Sequence, residues 1–431
     1  MIGKGLESGW LDDQEIENLV TSGLDALPLD GKRVLVIVPD HTRTMPLPLF
    51  FRVFAQNLLP RVQALNYLVA LGTHPPMTEA AVLSLFGISP QEKEESYGAI
   101  RLYNHAWDNP SALVSLGIIP AREIAQLSNG MLSQDVPVRL NRLILEHDHL
   151  LVCGPVFPHE VAGFSGGNKY FFPGIAGADI INLTHWLGAL LTSYKIIGTQ
   201  DTPVRRVIDR AASMIPRPRH AFCAVVDSSE ESGSHSPRLA GLFIDSPEEA
   251  FKKASTQSAK RHIIWCDHPF KRVLSVLPEM YNELWVGAKG MYKLEPVIAD
   301  GGEVIIYAPR LSEISQVHGR LIQEVGYHVR DYFLKQWDRF SGYPWSVLAH
   351  STHLRGMGSY ENGVEHPRIQ VTLATGISAE LCRKINLGYC DPGSVVISEW
   401  QGRESEGIKL VPRAGEFLYR LREEKDAQTT D

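Results

Sequence analysis

Short apolar runs that break off into polar loops rich in glycine and proline constrain this chain more than any other feature. Residues 34–38 (VLVIV) lie between Lys32-Arg33 and Pro39-Asp40. An unbroken apolar run this short reads as a strand buried on both faces. Residues 46–59 (PLPLFFRVFAQNLL) follow as a helix, and residues 67–71 (YLVAL) as a second strand. That strand runs into GTHPPMT, where Thr78 is placed to cap a helix that Gly87 stops. Further strands are read at 150–153 and 221–227, with helical periodicity over 180–191. Strand, loop, helix, strand is the rhythm of a parallel α/β sheet.

A second βαβ series begins near Phe270. Strands are expected at 272–277 and 303–307, with a helix around 292–299 between them. Further strands are expected at 345–349, 369–373 and 394–398. The expected fold class is therefore α/β with two domains, residues 1–265 and 266–399. The tail from about residue 400 is expected to return to the first domain, with its last seven or so residues disordered.

Composition narrows the function. Hydrophobic residues make up 44% and charged residues 21%, which excludes a disordered or highly charged chain. Lys+Arg of 42 against Asp+Glu of 49 leaves a net charge of −7, so no nucleic-acid partner is expected. Five cysteines without a C-x-x-C pair argue against a zinc ribbon or a disulfide framework and fit a cytoplasmic setting. The N-terminus carries acids where a signal peptide has an apolar core. No apolar stretch reaches the roughly 18 residues of a membrane span.

Ligands of open α/β sheets bind beyond the carboxyl ends of strands, and the polar clusters stand there. Asp40-His41-Thr42-Arg43 offers a guanidinium fork for phosphate or carboxylate and an Asp for ribose hydroxyls; a capped turn with a solvated Arg is the plainer alternative. His74 is followed by two prolines that stiffen the backbone, as suits either a proton carrier or a structural histidine. His159 opens a segment with Ser165, Gly166, Gly167 and Lys169. Its spacing is not that of a phosphate-binding P-loop, yet its glycines allow close backbone approach to a ligand. His185 is a candidate metal ligand or a helix-face histidine beside Trp186. Lys289 and the His350-Ser351-Thr352-His353 stretch are lesser clusters, suited to a metal or to a polar substrate.

Together, D-H-T-R at 40–43, G-T-H-P-P-M-T at 72–78, P-H-E-V-A-G-F-S-G-G-N-K-Y-F-F-P-G-I-A at 158–176, and a histidine 16 residues beyond the lysine resemble the nickel-dependent lactate racemase family. The K-G-M at 289–291 extends the likeness. The resemblance implies two Rossmann-like α/β domains with the active site in the cleft between them. It also implies a nickel pincer nucleotide (pyridinium-3,5-bisthiocarboxylic acid mononucleotide nickel). Lys169 would attach that cofactor and His185 would complete the nickel coordination. Asp40, Thr42 and Arg43 would line the nucleotide, with Ser165, Gly166 and Gly167 in the same cofactor loop. His74 and His159 would be the acid/base pair. Arg43 and Lys289 would meet the substrate carboxylate.

The family's Tyr-Gln pair before K-G-M is replaced by Trp285-Val286, which puts lactate itself in doubt. With Trp285 and His353 beside the substrate, a sugar acid epimerised at C2 is expected. The alternatives are lactate or another aliphatic or aromatic 2-hydroxy acid, and a non-catalytic nucleotide- or sugar-acid-binding protein. A Schiff-base lysine at 169 is a further reading, but it leaves His185 and the two separate proton carriers without a task. Cofactor-biosynthesis proteins are the expected partners.

Overall fold

The computed structural model describes residues 1–227 and 237–422. The expected disordered end lies outside the described residues. The fold is mixed α/β with several sheets. Contacts group the chain into two compact units. The first comprises Met1–Phe157, Phe164–Ile181 and Pro203–Arg261; the second comprises Pro158–Gly163, Asn182–Thr202 and the chain from His262 on.

The first unit is built on a seven-stranded sheet. Across it run Ile2–Gly5, Arg238–Asp245, Arg219–Asp227, His149–Pro155, Arg33–Val38, Ala64–Val69 and Arg101–Asn104. The last five are mutually parallel, and the first two are antiparallel to their neighbours. Residues 34–38 have no exposed surface. Their apolar run is continuous because both faces of a parallel sheet are covered. On one face Val34, Val36 and Val38 share a core with Phe50, Phe51 and Phe54 of the helix Leu47–Leu58. The Phe51 ring sits 5.2 Å from Tyr67 and 5.0 Å from Phe86. Each such side chain contributes about 1.5–3 kcal/mol when fully buried. The Thr78 hydroxyl accepts from the Ala81 amide at 3.2 Å, and Gly87 ends that helix at φ 63°, both as the sequence predicts.

The second unit has a five-stranded parallel sheet: Gly388–Tyr389, Gln370–Thr375, Ile298–Ala308, Phe270–Val276 and Ile408–Val411. The described part of the tail belongs here and not with the first unit. Ile408–Val411 pairs with Phe270–Val276, and Leu418–Leu421 pairs with Ile263–Cys266.

Three local expectations are corrected. The run at 345–349 is the start of the helix Trp345–Arg355, not a strand. Every residue from Ser346 to Arg355 is buried, so the helix has no polar face and no readable period. The helix expected at 292–299 is a short turn, Lys289–Tyr292, then a 3-10 turn and the long strand Ile298–Ala308. Residues 394–398 form no strand; Pro392–Ser394 and Ile397–Trp400 are 3-10 turns.

Candidate functional site

Strands Arg33–Val38 and Ala64–Val69 run parallel with Val38 opposite Val69. The loops that leave their carboxyl ends therefore start side by side, and they carry Asp40 and His74. One Asp40 oxygen accepts from the Thr42 amide at 3.1 Å and from the Thr42 hydroxyl at 2.6 Å. The other lies 2.5 Å from His74 Nδ1. Burial opposes ionisation of Asp40, but His74, Arg43 and the Thr42 hydroxyl outweigh it and hold the carboxyl well below the usual carboxylate range. A carboxylate can only accept, so His74 donates from Nδ1 and keeps Nε2 for proton exchange. Asp40, expected against the nucleotide, thus has both oxygens engaged by Thr42 and His74. Arg43 lies over the Phe157 ring at 5.4 Å.

The glycine segment joins this cluster. The Gly72 amide donates to the Gly174 carbonyl at 2.9 Å. The buried Tyr170 phenol, next to Lys169, feels the charges of both Arg43 and Asp40. Ser165 donates to the Pro155 carbonyl and accepts from the Phe157 amide, each at 3.0 Å, so its hydroxyl holds the loop's own backbone. Gly166 has φ 90°, and a Cβ there would collide with Val156; only glycine fits.

Buried Arg205 donates to the carbonyls of Phe164 at 2.5 Å and Gly166 at 3.1 Å, and it stacks on Phe251 at 3.8 Å. The Asn168 amide is tied to Asp209 at 2.9 Å and Glu248 at 2.7 Å. Between buried Asn168 and Tyr170, Lys169 is partly exposed. Arg205 and Asn168 thus tie the loop that carries Lys169 to its surroundings.

The remaining candidates lie in the second unit. His159 is buried, and its Nδ1 accepts from the Val161 amide at 3.1 Å with a Glu160 oxygen 3.2 Å away. The amide requires a bare Nδ1 and the carboxylate favours a protonated one. His185 rides on the helix Ala178–Leu191, where its neighbour Trp186 stacks on Trp337 at 5.3 Å. His353 hydrogen-bonds Ser193 at 2.5 Å. Burial pushes the His353 imidazole down to about 4, with Glu160 opposing that shift and His185 adding to it. The buried Lys289 ammonium lies 4.6 Å from the Tyr281 ring centre, a cation–π contact. Trp285 stacks on His350 at 3.9 Å.

The first unit therefore gathers Asp40, Thr42, Arg43, His74 and the 165–174 segment with Lys169. The second gathers His159 and His185 with His353, and Lys289 with Trp285. Sequence reading missed Glu160, Tyr170, Ser193, Arg205 and Tyr281. Glu160 and Tyr170 adjoin residues already singled out. The other three carry no signal until the fold brings them near. No group of three or more His, Cys, Asp or Glu among the described residues is arranged to hold a metal ion. A metal held by His185 would need further donors from outside these side chains. That donor set fits a pincer nucleotide and does not fit a protein-only metal centre. No helix among the described residues is long and apolar enough to cross a membrane.

Residues 13–195 match the family model described as the lactate racemase N-terminal domain. The chain is 25% identical over 320 residues to the lactate racemase of Thermoanaerobacterium thermosaccharolyticum, a match covering 70% of this chain and 65% of that protein. It is 27% identical over 180 residues to the lactate racemase of Lactiplantibacillus plantarum, covering 40% of this chain and 37% of that one. The matches thus span less than two thirds of either curated relative. A crystal structure of a protein from Thermotoga maritima superposes with a TM-score of 0.88 at 31% identity, covering 97% of this chain and 100% of that chain. The lactate racemase apoprotein of T. thermosaccharolyticum superposes with a TM-score of 0.67 at 20% identity, covering 97% and 94%, a likeness of fold.

Proposed function

The chain belongs to the lactate racemase family, and from that premise we propose that it inverts the C2 carbon of a 2-hydroxy acid with a nickel pincer nucleotide. One observation carries this reading: each of the two candidate acid/base histidines has a carboxylate against its Nδ1, Asp40 at 2.5 Å and Glu160 at 3.2 Å. His74 presents a bare Nε2 because Asp40 holds its Nδ1 proton. His159 has the Glu160 carboxylate beside its Nδ1, as His74 has Asp40. A reaction that must run in both directions needs one base and one acid, with the roles exchanged for the other enantiomer.

A C–H beside a carboxylate is a very weak acid, so inversion by proton abstraction alone is difficult. When bound, the cofactor supplies a reversible hydride acceptor. The chain's own residues do the rest. His74 Nε2 takes the C2 hydroxyl proton, and buried Asp40 stabilises the imidazolium that results. His159 returns a proton to the substrate oxygen. Arg43 and Lys289 hold the carboxylate. Lys169 is the attachment point and His185 the protein's nickel ligand.

Trp285 and His353 favour a larger 2-hydroxy acid, such as a sugar acid epimerised at C2, over lactate. An aliphatic or aromatic acid resting on the Trp285 indole is the alternative. We place the protein in the cytoplasm, where the cofactor-biosynthesis proteins it depends on act; its five unpaired thiols suit that compartment.

The test is co-expression with the cofactor pathway, followed by intact mass, nickel content and chiral analysis of single-enantiomer acids. Lys169→Ala should abolish any mass increment. His185→Ala should keep the increment and lose nickel. Tight binding of a sugar acid with no inversion by nickel-loaded protein would instead support the non-catalytic binder. Inversion of lactate alone would refute the sugar-acid assignment.

A further inference from the structure

The helix Trp345–Arg355 carries one imidazole that the reading above leaves unused. His350 is only 7% exposed. Its Nε2 lies 3.0 Å from the Trp285 carbonyl. A carbonyl only accepts, so Nε2 carries the proton and Nδ1 holds a bare lone pair. The ring is stacked on the Trp285 indole at 3.9 Å and 6° between planes; turning it over would keep the stack and forfeit the hydrogen bond. Among the described residues, Nδ1 has no hydrogen-bond partner. A buried acceptor left unpaired costs about 1–3 kcal/mol, a cost that a donor on a bound molecule removes.

The surroundings say which molecule. Trp285 and Lys289 are four residues apart on successive short turns, Leu284–Gly287 and Lys289–Tyr292. The ammonium proposed for the substrate carboxylate is therefore one helical turn from the stack. His350 also feels the charge of Glu160, the neighbour of His159. The groups whose charge reaches it are His353, Glu160 and His318; burial outweighs them and pushes its imidazole down to about 3. The ring is neutral at neutral pH, and Nδ1 remains an acceptor.

We propose that His350 reads a substrate hydroxyl beyond C2: Nδ1 accepts from an O–H at C3 or further along a polyhydroxylated 2-hydroxy acid, with the ring aimed by Trp285. The assignment rests on the racemase reading and names its substrate class from a separate observation. Lactate and 2-hydroxybutanoate carry no such hydroxyl and leave the acceptor unpaired. Sites built to pair a hydroxyl reject analogues lacking it by up to about 10⁴–10⁵-fold.

The experiment uses cofactor-loaded enzyme and two four-carbon acids, 2,3,4-trihydroxybutanoate and 2-hydroxybutanoate, with C2 inversion followed by chiral separation. Wild type should prefer the trihydroxy acid by at least about 100-fold in kcat/KM. His350→Gln keeps an amide where Nε2 bonds the Trp285 carbonyl but removes the Nδ1 acceptor. It should erase most of that preference and leave 2-hydroxybutanoate little changed. His350→Asn puts an oxygen near the Nδ1 position and should recover much of the trihydroxy-acid activity.

If His350 served only to position Trp285, the Asn variant would be the worse of the two and both acids would fall together; that result overturns the proposal. Equal wild-type turnover of the two acids overturns it without any variant, and leaves the racemase reading standing. Inversion of neither acid overturns this proposal, and the racemase reading falls with it only if aromatic and longer single-enantiomer 2-hydroxy acids are not inverted either.

Discussion

At the scale of single residues, the pairing of Asp40 with His74 separates this site from a nucleotide pocket that merely contains a histidine. The sequence marks both residues but assigns Asp40 to the cofactor. Their pairing depends on the Val38–Val69 register, which no local pattern encodes across 34 positions. Asp40→Asn presents an amide donor to His74 Nδ1 and drives the ring into its other tautomer, with Nε2 protonated. We expect kcat to fall by about 10²–10⁴-fold, the usual weight of a positioned base. Intact mass should show the cofactor increment unchanged, because neither Asn nor His74 touches the attachment chemistry. Loss of the increment together with activity would mean that Asp40 acts on the cofactor after all.

At the scale of elements, legibility follows burial. The strand 34–38 and the loops at its end are readable because a two-face-buried strand is a short apolar run with a sharp polar stop. The helix Trp345–Arg355 is misread for the same reason: buried on all sides, it lacks the polar face that would give it a period. Pro344 before it and Gly356 after it, at φ 83°, are the punctuation that was there to be used. The brace on the glycine loop is invisible in sequence because Arg205 lies 39 residues from Gly166. Arg205→Met should keep much of the stack on Phe251 but remove the guanidinium donors to the Phe164 and Gly166 carbonyls. Bonds to a charged donor carry about 1.5–3 kcal/mol each, so a clear fall in Tm is expected. The fraction of chains carrying the cofactor increment should fall as well, since Lys169 loses its fixed loop. Gly166→Ala should do the same through strain. A Tm drop with full cofactor loading in both variants would show that loop rigidity is not needed for attachment.

At the scale of the whole molecule, buried imidazoles set how the fold responds to acid. Burial is the leading cause in each case: His105 and His149 in the first unit and His353 in the second are pushed down to about 4, and His350 to about 3. Each is neutral in the native state and titrates near 6.5 when unfolded. Above pH 6.5 neither state binds a proton at these rings, and they add no slope. Between 6.5 and about 4 the unfolded chain binds more protons, so stability falls as the solution is acidified. At pH 5 a well-buried ring of this kind removes roughly 1–2 kcal/mol.

Burial pushes the carboxyls of Asp209 and Glu295 up, so these two oppose the decline, whereas Asp40 does not titrate in that window. Asp40 is held well below its ordinary range, so its contribution is present above about pH 4 and is lost only below it. Unfolding followed from pH 8 to pH 4.5 should therefore be flat at first and then decline from near 6.5. His105 donates to the Ala176 carbonyl at 3.0 Å and accepts from Asn141 at 3.2 Å. His105→Gln keeps an amide for that carbonyl and cannot titrate. It should lower stability at pH 8 yet shallow the decline between 6.5 and 4.5. A variant whose curve runs parallel to wild type across that interval would show that this ring does not take up the proton, and that the acid sensitivity arises elsewhere.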